Sequence, residues 1–278
     1  VCFFVYCKIT HDNVSLQRVK KMKVQTIAEV ARQLANIKDE QDPFLIQILQ
    51  DERKGVQQII QKWRKQIAEE QRLKEKFLEM NTYETKWRSN GFELIAGVDE
   101  VGRGPLAGPV AAAAVILPAD FFLAGIDDSK KLSEKKRLEY DAIIRREALA
   151  FSVSMIDANE IDEINIYEAA KKAMKAAIAS LQPKPDFLLI DAMKLEIPYA
   201  SESIIKGDAK SISIAAASII AKVARDKLMK EISLEYPRYH FQQNMGYGTK
   251  EHLNAIQQYG ITPYHRKSFA PIKDIIKI

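Results

Sequence analysis

The residues that could do chemistry in this 278-residue chain are mostly acids. Asp99 and Glu100 stand side by side in Gly97-Val98-Asp99-Glu100-Val101-Gly102-Arg103-Gly104-Pro105, ending an apolar run and leading into a glycine-rich turn. Neighbouring strand residues point to opposite faces. The two carboxylates therefore converge on one ion only if the strand ends or bends between them, which the glycines permit. Asp191 follows the apolar run Phe187–Ile190, and the carboxyl end of a sheet strand is where open α/β sheets place ligands. Asp208 lies in Lys206-Gly207-Asp208-Ala209-Lys210-Ser211, a polar loop entering a long helix. Taken singly, Asp191 and Asp208 also read as a helix cap or a solvated loop acid, and the Asp99–Glu100 pair as an acidic tight turn. Three or four converging carboxylates with no His or Cys suit Mg²⁺ or Mn²⁺, which take oxygen ligands, and point to metal-dependent phosphoryl chemistry.

Other chemistries are excluded by what is missing. The histidines are His11, His240, His252 and His265, none between residues 12 and 239, which removes zincin, HxE deaminase and most Ser-His schemes from that stretch. Cys2 and Cys7 both fall within the first seven residues, so they form neither a disulfide framework nor a zinc ribbon, and a reducing compartment fits. Gly102-x-Gly104-x-x-x-Gly108 misses the dinucleotide spacing and leads to a strand-length run, not a helix. Gly207-Asp208-Ala209-Lys210-Ser211 lacks the upstream glycine and the Gly-Lys of a P-loop.

Around the acids lie groups suited to a nucleic acid. Gly102 and Gly104 let backbone approach a ligand closely, and Arg103 is available to a phosphate. In Asp127-Asp128-Ser129-Lys130-Lys131-Leu132-Ser133, Ser133 reads as a helix cap, and Lys130 as either a phosphate contact or a solvated lysine. Tyr247, between Gly246 and Gly248, is a stacking platform or a buried turn tyrosine. Tyr264–Phe269 adds basic and aromatic groups of low specificity.

The elements that must carry these residues show in the periodicity. Phe92–Val98, Val110–Leu117, Leu149–Ile156 and Phe187–Ile190 read as strands. Helices are expected after Ser133, from Asn165 or Ile166 to Leu181, from Ser213 to Glu235, and from Thr249 to Gly260. Strands first adjacent and then interleaved with helices indicate an α/β or α+β sheet domain. Ahead of it, residues 22–90 hold one Gly and one Pro, against ten and nine afterwards, which sets a boundary near Asn90-Gly91. A Thr26–Glu29 capping box and apolar stripes through Ile27, Val30, Leu34 and Ile37 and through Val56, Ile59, Ile60, Trp63 and Ile67 make this a helical N-terminal extension. Met22 before it reads as a natural start, so residues 1–21 are expected to be an upstream leader outside the folded protein.

Taken together and in order, LIAGVDEVGRGPLAGPVAAAAVILP at 94–118, DDSKKLS at 127–133, LLIDA at 188–192, KGDAKS at 206–211, SIAAASIIAKVARD at 213–226, GYGTKEH at 246–252 and HRKSF at 265–269 closely resemble bacterial type 2 ribonuclease H, ribonuclease HII. The resemblance implies an RNase H-like α/β fold: a mixed five-stranded sheet flanked by helices, with a helical C-terminal part. It places the family's acidic tetrad on Asp99, Glu100, Asp191 and Asp208, holding two divalent ions, Mn²⁺ or Mg²⁺. It implies a ribonucleotide-sensing loop at Gly102-Arg103-Gly104 working with Tyr247 at the 2′-hydroxyl. It implies phosphate contacts from Ser129 and Lys130, and from Lys222 and Arg225 on the Ala-rich helix.

The implied activity is cleavage of the RNA strand of RNA/DNA hybrids and nicking of duplex DNA 5′ of a single embedded ribonucleotide, leaving 3′-hydroxyl and 5′-phosphate ends, as in ribonucleotide excision repair. The implied protein is a cytoplasmic monomer without membrane association, whose extension resembles that of Bacillus-type members in length and is compatible with a protein partner. Two rivals stand beside it. Ribonuclease HIII needs long RNA tracts and has a sheet-containing N-terminal platform, against which the helical extension and the Gly102-Arg103-Gly104 loop speak. An idle nucleic-acid-binding module would leave four acidic tetrad positions without a purpose.

Composition sets the outer limits. With 47% hydrophobic and 28% charged residues, and apolar runs far short of the ~18 that cross a bilayer, the chain is expected to be globular. The formal charge is +5 and the pI about 8.9. Residues 1–90 carry 17 Lys and Arg against 12 Asp and Glu, and residues 91–278 carry 25 of each, so the whole basic excess lies ahead of the sheet domain and suggests that this part of the chain helps hold duplex.

Overall fold

The structure is a computed structural model describing residues 25–276, so the expectation for residues 1–21 lies outside the described residues. The chain divides between Glu69 and Glu70 into two compact units.

The first unit is helical. Helix α1 (Ile27–Leu34) opens on the expected capping box, the Thr26 side chain accepting from the Glu29 N–H while Glu29 accepts from the Thr26 N–H. Asp42 caps α2 (Pro43–Ile48), whose proline sits where no intrahelical donor is needed. Helix α3 (Lys54–Met80) begins here and runs on across the division. Val30, Leu34, Leu45, Ile48, Val56, Ile60 and Trp63 form the buried core of this unit, and the Trp63 indole N–H donates to the Ile37 carbonyl at 2.9 Å.

The second unit is built on a sheet. After α4 (Thr82–Ser89), the chain forms β1 (Ile95–Val101), β2 (Val110–Ile116), α5 (Glu134–Glu147), β3 (Ala150–Ile156), α6 (Ala158–Ile164), α7 (Ile166–Ser180), β4 (Phe187–Asp191), β5 (Ala200–Ile204) and α8 (Ile212–Glu235). Then come α9 (Phe241–Asn244), α10 (Lys250–Tyr259) and α11 (Ile272–Ile275), the helical C-terminal part. The strand order is β3-β2-β1-β4-β5. β1, β2 and β3 pair antiparallel, and β4 and β5 add parallel strands to β1. It is the mixed five-stranded sheet, flanked by helices, that the motifs implied.

Strand β2 is buried on both faces, which explains alanines in a strand. Ala112 and Ala114 join the cluster with α7 residues Ala173, Met174 and Ala177, while Ala113 joins the one with α8 residues Ala216, Ala217 and Ile220. Small side chains let both helices lie close to the sheet. Gly97 does the same on β1, since a Cβ there would lie 2.0 Å from the Ser213 carbonyl carbon.

Three differences from the sequence reading matter. β1 does not end at Val98 but continues through Asp99 and Glu100 to Val101, paired there with β2 alone. β5 carries little apolar patterning, with exposed Ala200, Ser201 and Ser203, and is formed because β4 has a free edge to pair. The unit around the sheet starts at Glu70, ahead of the composition change at Asn90, because α4 packs on it. The Trp87 ring stacks on Phe187 at 4.0 Å between centroids, and its indole N–H donates to Glu202 at 2.6 Å.

Candidate active site

Parallel pairing brings the acids together. The last register pair of β1 and β4 is Val98 with Ile190, so the next residues, Asp99 and Asp191, emerge side by side at the carboxyl ends of two parallel strands. Alternation puts Asp99 on the α8 face and aims Glu100 to the other. Because β4 has ended, the corner beside Glu100 is open, and Asp99, Glu100 and Asp191 each bring a carboxylate oxygen within 4.8 Å of the others. Asp208 stands outside that group. It sits in a single 3₁₀ turn, Gly207–Ala209, in a loop pinned to the cluster by the Gly207 N–H, which donates to Asp191 Oδ1 at 2.6 Å.

The electrostatics are those of a site short of positive charge. Burial, then the charges of Glu100 and Asp191, holds the Asp99 carboxyl well above the usual carboxylate range, while the Ser218 hydroxyl pulls the other way. Burial likewise raises Glu100, Asp191 and Asp208, with Asp128 and Asp191 adding to the effect at Asp208. Glu100 Oε1 accepts from Arg103 at 3.3 Å, but its buried Oε2 has no hydrogen-bond partner. Desolvated carboxylates that repel one another, with one oxygen unpartnered, fit a divalent cation with oxygen preference. Besides Arg103, Lys130 brings positive charge near the acids: burial opposes its charge, yet Asp128, Asp99, Asp208 and Asp191 raise its pKa.

Beside the acids, residues 102–109 form a loop held from below by two buried arginines. Gly102 has φ +90°, and a Cβ on it would lie 2.3 Å from Arg225 Nε, so only glycine fits. Arg266, fully buried, donates to the carbonyls of Gly102 (2.6 Å), Arg103 (2.9 Å) and Gly108 (2.8 Å). Arg225 is 1% exposed and donates to the carbonyls of Pro109 (2.9 Å), Ala107 (3.1 Å) and Met245 (2.9 Å).

Tyr247 stands over this loop. A Cβ on Gly104 would come 3.5 Å from its ring, and the Gly246 carbonyl accepts from the Leu106 N–H at 2.8 Å. Tyr247 is 46% exposed, which leaves room for a ligand. Below it, two buried histidines make a directional chain. The Thr262 backbone N–H donates to His265 Nδ1 at 2.9 Å, so the neutral His265 carries its proton on Nε2 and donates to His252 Nε2. His252 then donates from Nδ1 to the Tyr247 carbonyl at 2.8 Å.

The remaining expected contacts divide. Lys130 is exposed next to the acids. Ser129 is buried, its hydroxyl 2.9 Å from that of Ser218; its carbonyl accepts from Arg137 at 2.9 Å. Arg225 is corrected outright: its guanidinium is turned inward onto carbonyls and is not presented to phosphate. Lys222 donates to Asp226 at 2.6 Å, a partner one helical turn away that its ammonium would have to leave. Sequence reading missed Arg137, Arg266 and the His252–His265 pair as parts of the site. HRKSF and GYGTKEH contain three of these four residues, but nothing in residue type separates a buried arginine from a surface one.

Known proteins match this arrangement. The family model Ribonuclease HII matches residues 96–272, and Ribonuclease HII N-terminal domain matches residues 26–88. A Ribonuclease HII of Bacillus anthracis is 57% identical over 256 residues, covering 92% of this chain and 100% of that protein. The ribonuclease H2 from Pyrococcus horikoshii OT3 superposes with TM-score 0.56 at 26% identity, over 65% of this chain and 96% of that one. A Bst-RNase HIII solved in complex with Mn²⁺ shares the fold at 18% identity and TM-score 0.50, over 66% of this chain and 69% of that one. With a catalytic-domain match that begins in β1 and an N-terminal match that ends in α4, this chain belongs to the ribonuclease HII family and is a nuclease of the ribonuclease H class.

Proposed function

We propose that this ribonuclease H cleaves the RNA strand of RNA/DNA hybrids and nicks duplex DNA on the 5′ side of a single embedded ribonucleotide, leaving 3′-hydroxyl and 5′-phosphate ends. The observation that carries this reading is the meeting of three carboxylate oxygens within 4.8 Å, beside a loop whose Gly104 lies under an exposed tyrosine ring.

Asp99, Glu100 and Asp191, with Asp208 at the edge of the cluster, are the residues that would hold two divalent ions, Mn²⁺ or Mg²⁺. Such ions, when bound, supply an acidified water and stabilise charge on the phosphate and the departing 3′ oxygen. The chain's own residues do the rest. The inward-turned carbonyls of 102–109 leave the outer face of the Gly102-Arg103-Gly104 loop to a sugar, where backbone can sense a 2′-hydroxyl. Tyr247 covers the same sugar from above, and Lys130 offers positive charge to the phosphate. Ser129, at the same loop, acts through Ser218 beneath it. A protein partner for the extension, a monomeric state and a cytoplasmic setting go with this reading. Among the described residues no helix is long and apolar enough to cross a membrane.

The test is cleavage, with Mn²⁺, of a DNA duplex carrying one ribonucleotide, alongside a duplex carrying four. Nicking 5′ of the single ribonucleotide is expected. An enzyme that cut only the four-ribonucleotide duplex would behave as ribonuclease HIII does, and an intact substrate in both cases would end the proposal.

A further inference from the structure

Glu84 is a buried acid of α4, within the unit built on the sheet. It lies in the first turn of α4 and is 1% exposed. Its Oε1 accepts three hydrogen bonds: from Ser211 Oγ at 2.6 Å, from the Ser213 N–H at 2.9 Å and from Ser213 Oγ at 2.5 Å. Its Oε2 is buried without a partner. Ser213 lies in the first turn of α8, whose opening N–H groups have no partner within the helix. Glu84 therefore caps α8 from another helix, with its charge at the favourable end of the helix dipole.

What this contact holds is the loop of the fourth acid. Ser211 is the N-cap of α8, its side chain accepting from the Ile214 N–H, and its own N–H donates to the Gly207 carbonyl at 2.8 Å. Gly207 in turn donates to Asp191. The segment 207–211, with Asp208 inside it, is thus tied at one end to the carboxylate cluster and at the other to Glu84. The same contact seats the start of α8 on β1, where Gly97 leaves no room for even a methyl group beside Ser213, two residues before Asp99. Neither the metal nor the substrate reading uses Glu84.

We propose that Glu84 is a positioning residue for the metal site: it fixes Ser211, and so the Gly207–Ser211 loop and Asp208, making α4 part of the catalytic scaffold. The proposal rests on the metal-site reading above. Groups that orient metal ligands from behind typically change metal affinity by about tenfold or more when removed.

The experiment is calorimetric titration of the full chain with Mn²⁺, without nucleic acid. Glu84→Ala and Ser211→Ala are expected to bind Mn²⁺ about tenfold more weakly than the wild type, and Glu84→Gln, which keeps an acceptor oxygen, within about twofold of it. Trp87→Phe loosens α4 at Glu202 without touching Ser211 or Ser213, and is expected to lower the melting temperature but not the affinity. Wild-type affinity in Glu84→Ala and Ser211→Ala would overturn the proposal, as would an equal loss in Trp87→Phe. If Glu84→Ala does not fold, Ser211→Ala decides alone. A wild-type protein giving no Mn²⁺ heat would instead refute the metal-site reading.

Discussion

His252 and His265 face each other Nε2 to Nε2 at 3.0 Å, with neither residue exposed to solvent. The contact holds one proton: charging His252 at Nε2 removes its acceptor, and charging His265 at Nδ1 breaks the bond it accepts from the Thr262 N–H. Burial, and then the neighbouring His252, pushes His265 down to about 4 from 6.5. The unfolded chain therefore takes up the proton first. The pair's stabilisation is complete above pH 6.5 and is lost as pH falls towards 4, at up to about 1.4 kcal/mol per unit. Urea unfolding at pH 7, 6 and 5 should show this component in the wild type and not in His265→Gln; identical slopes in the two would contradict the pairing.

Asp99 is predicted to trade stability for function. Burial and the charges of Glu100 and Asp191 raise its pKa, so ionising it costs the metal-free protein free energy as pH rises. Asp99→Asn should stabilise that protein at pH 8 by about 1–3 kcal/mol, while Mn²⁺ binding and cleavage fall by several orders of magnitude, since charge stabilisation is most of this catalysis. Thermal melts with chelator and a single-turnover assay measure both halves. A destabilised but active Asp99→Asn would be the opposite of what the acid cluster requires.

Arg266 is expected to behave as a keystone of the substrate loop. Replacing it by Met leaves the buried carbonyls of Gly102, Arg103 and Gly108 without their donor, a loss of about 3–5 kcal/mol in unfolding free energy. Arg266→Lys restores charge but not the planar fork, and should recover less than half. Equilibrium urea curves decide this, and a change under 1 kcal/mol would show that the loop holds itself.

For Lys130, raised in pKa by the surrounding acids, the prediction concerns salt. Lys130→Gln should lower the slope of log affinity against log salt by about 0.9, the release of one counterion, with little change in Mn²⁺ affinity. Duplex binding measured in Ca²⁺ from low to moderate salt provides the number, and an unchanged slope would remove Lys130 from the phosphate contacts.

Much of this was legible beforehand. The Thr26–Glu29 box, the Ser133 and Thr249 caps and the runs that became β2, β3 and β4 are local signals, readable because capping and alternation act over a few residues. β5 was not, since Ala200–Ile204 is a strand only by virtue of the β4 edge. The pattern starts α8 at Ser213, one residue late, because Ser211 and Ser213 are both good caps and the choice falls to Ser211, whose hydroxyl receives the Ile214 N–H. The phosphate role of Arg225 is what the family resemblance implies, and nothing within the helix announces three carbonyls arriving from residues 107, 109 and 245.

Residue order alone settled which acids are present, that His and Cys chemistry is absent around them, and the family to which the motifs belong, because these depend on identity and spacing. Convergence was a tertiary decision. Asp99 and Glu100 point apart by the period of a strand, and they meet Asp191 only because β4 lies parallel to β1 and stops one residue short of blocking the corner. The same holds for charge: 25 acids and 25 bases beyond residue 90 describe a neutral segment, and only folding separates a desolvated acid cluster from arginines buried under a loop.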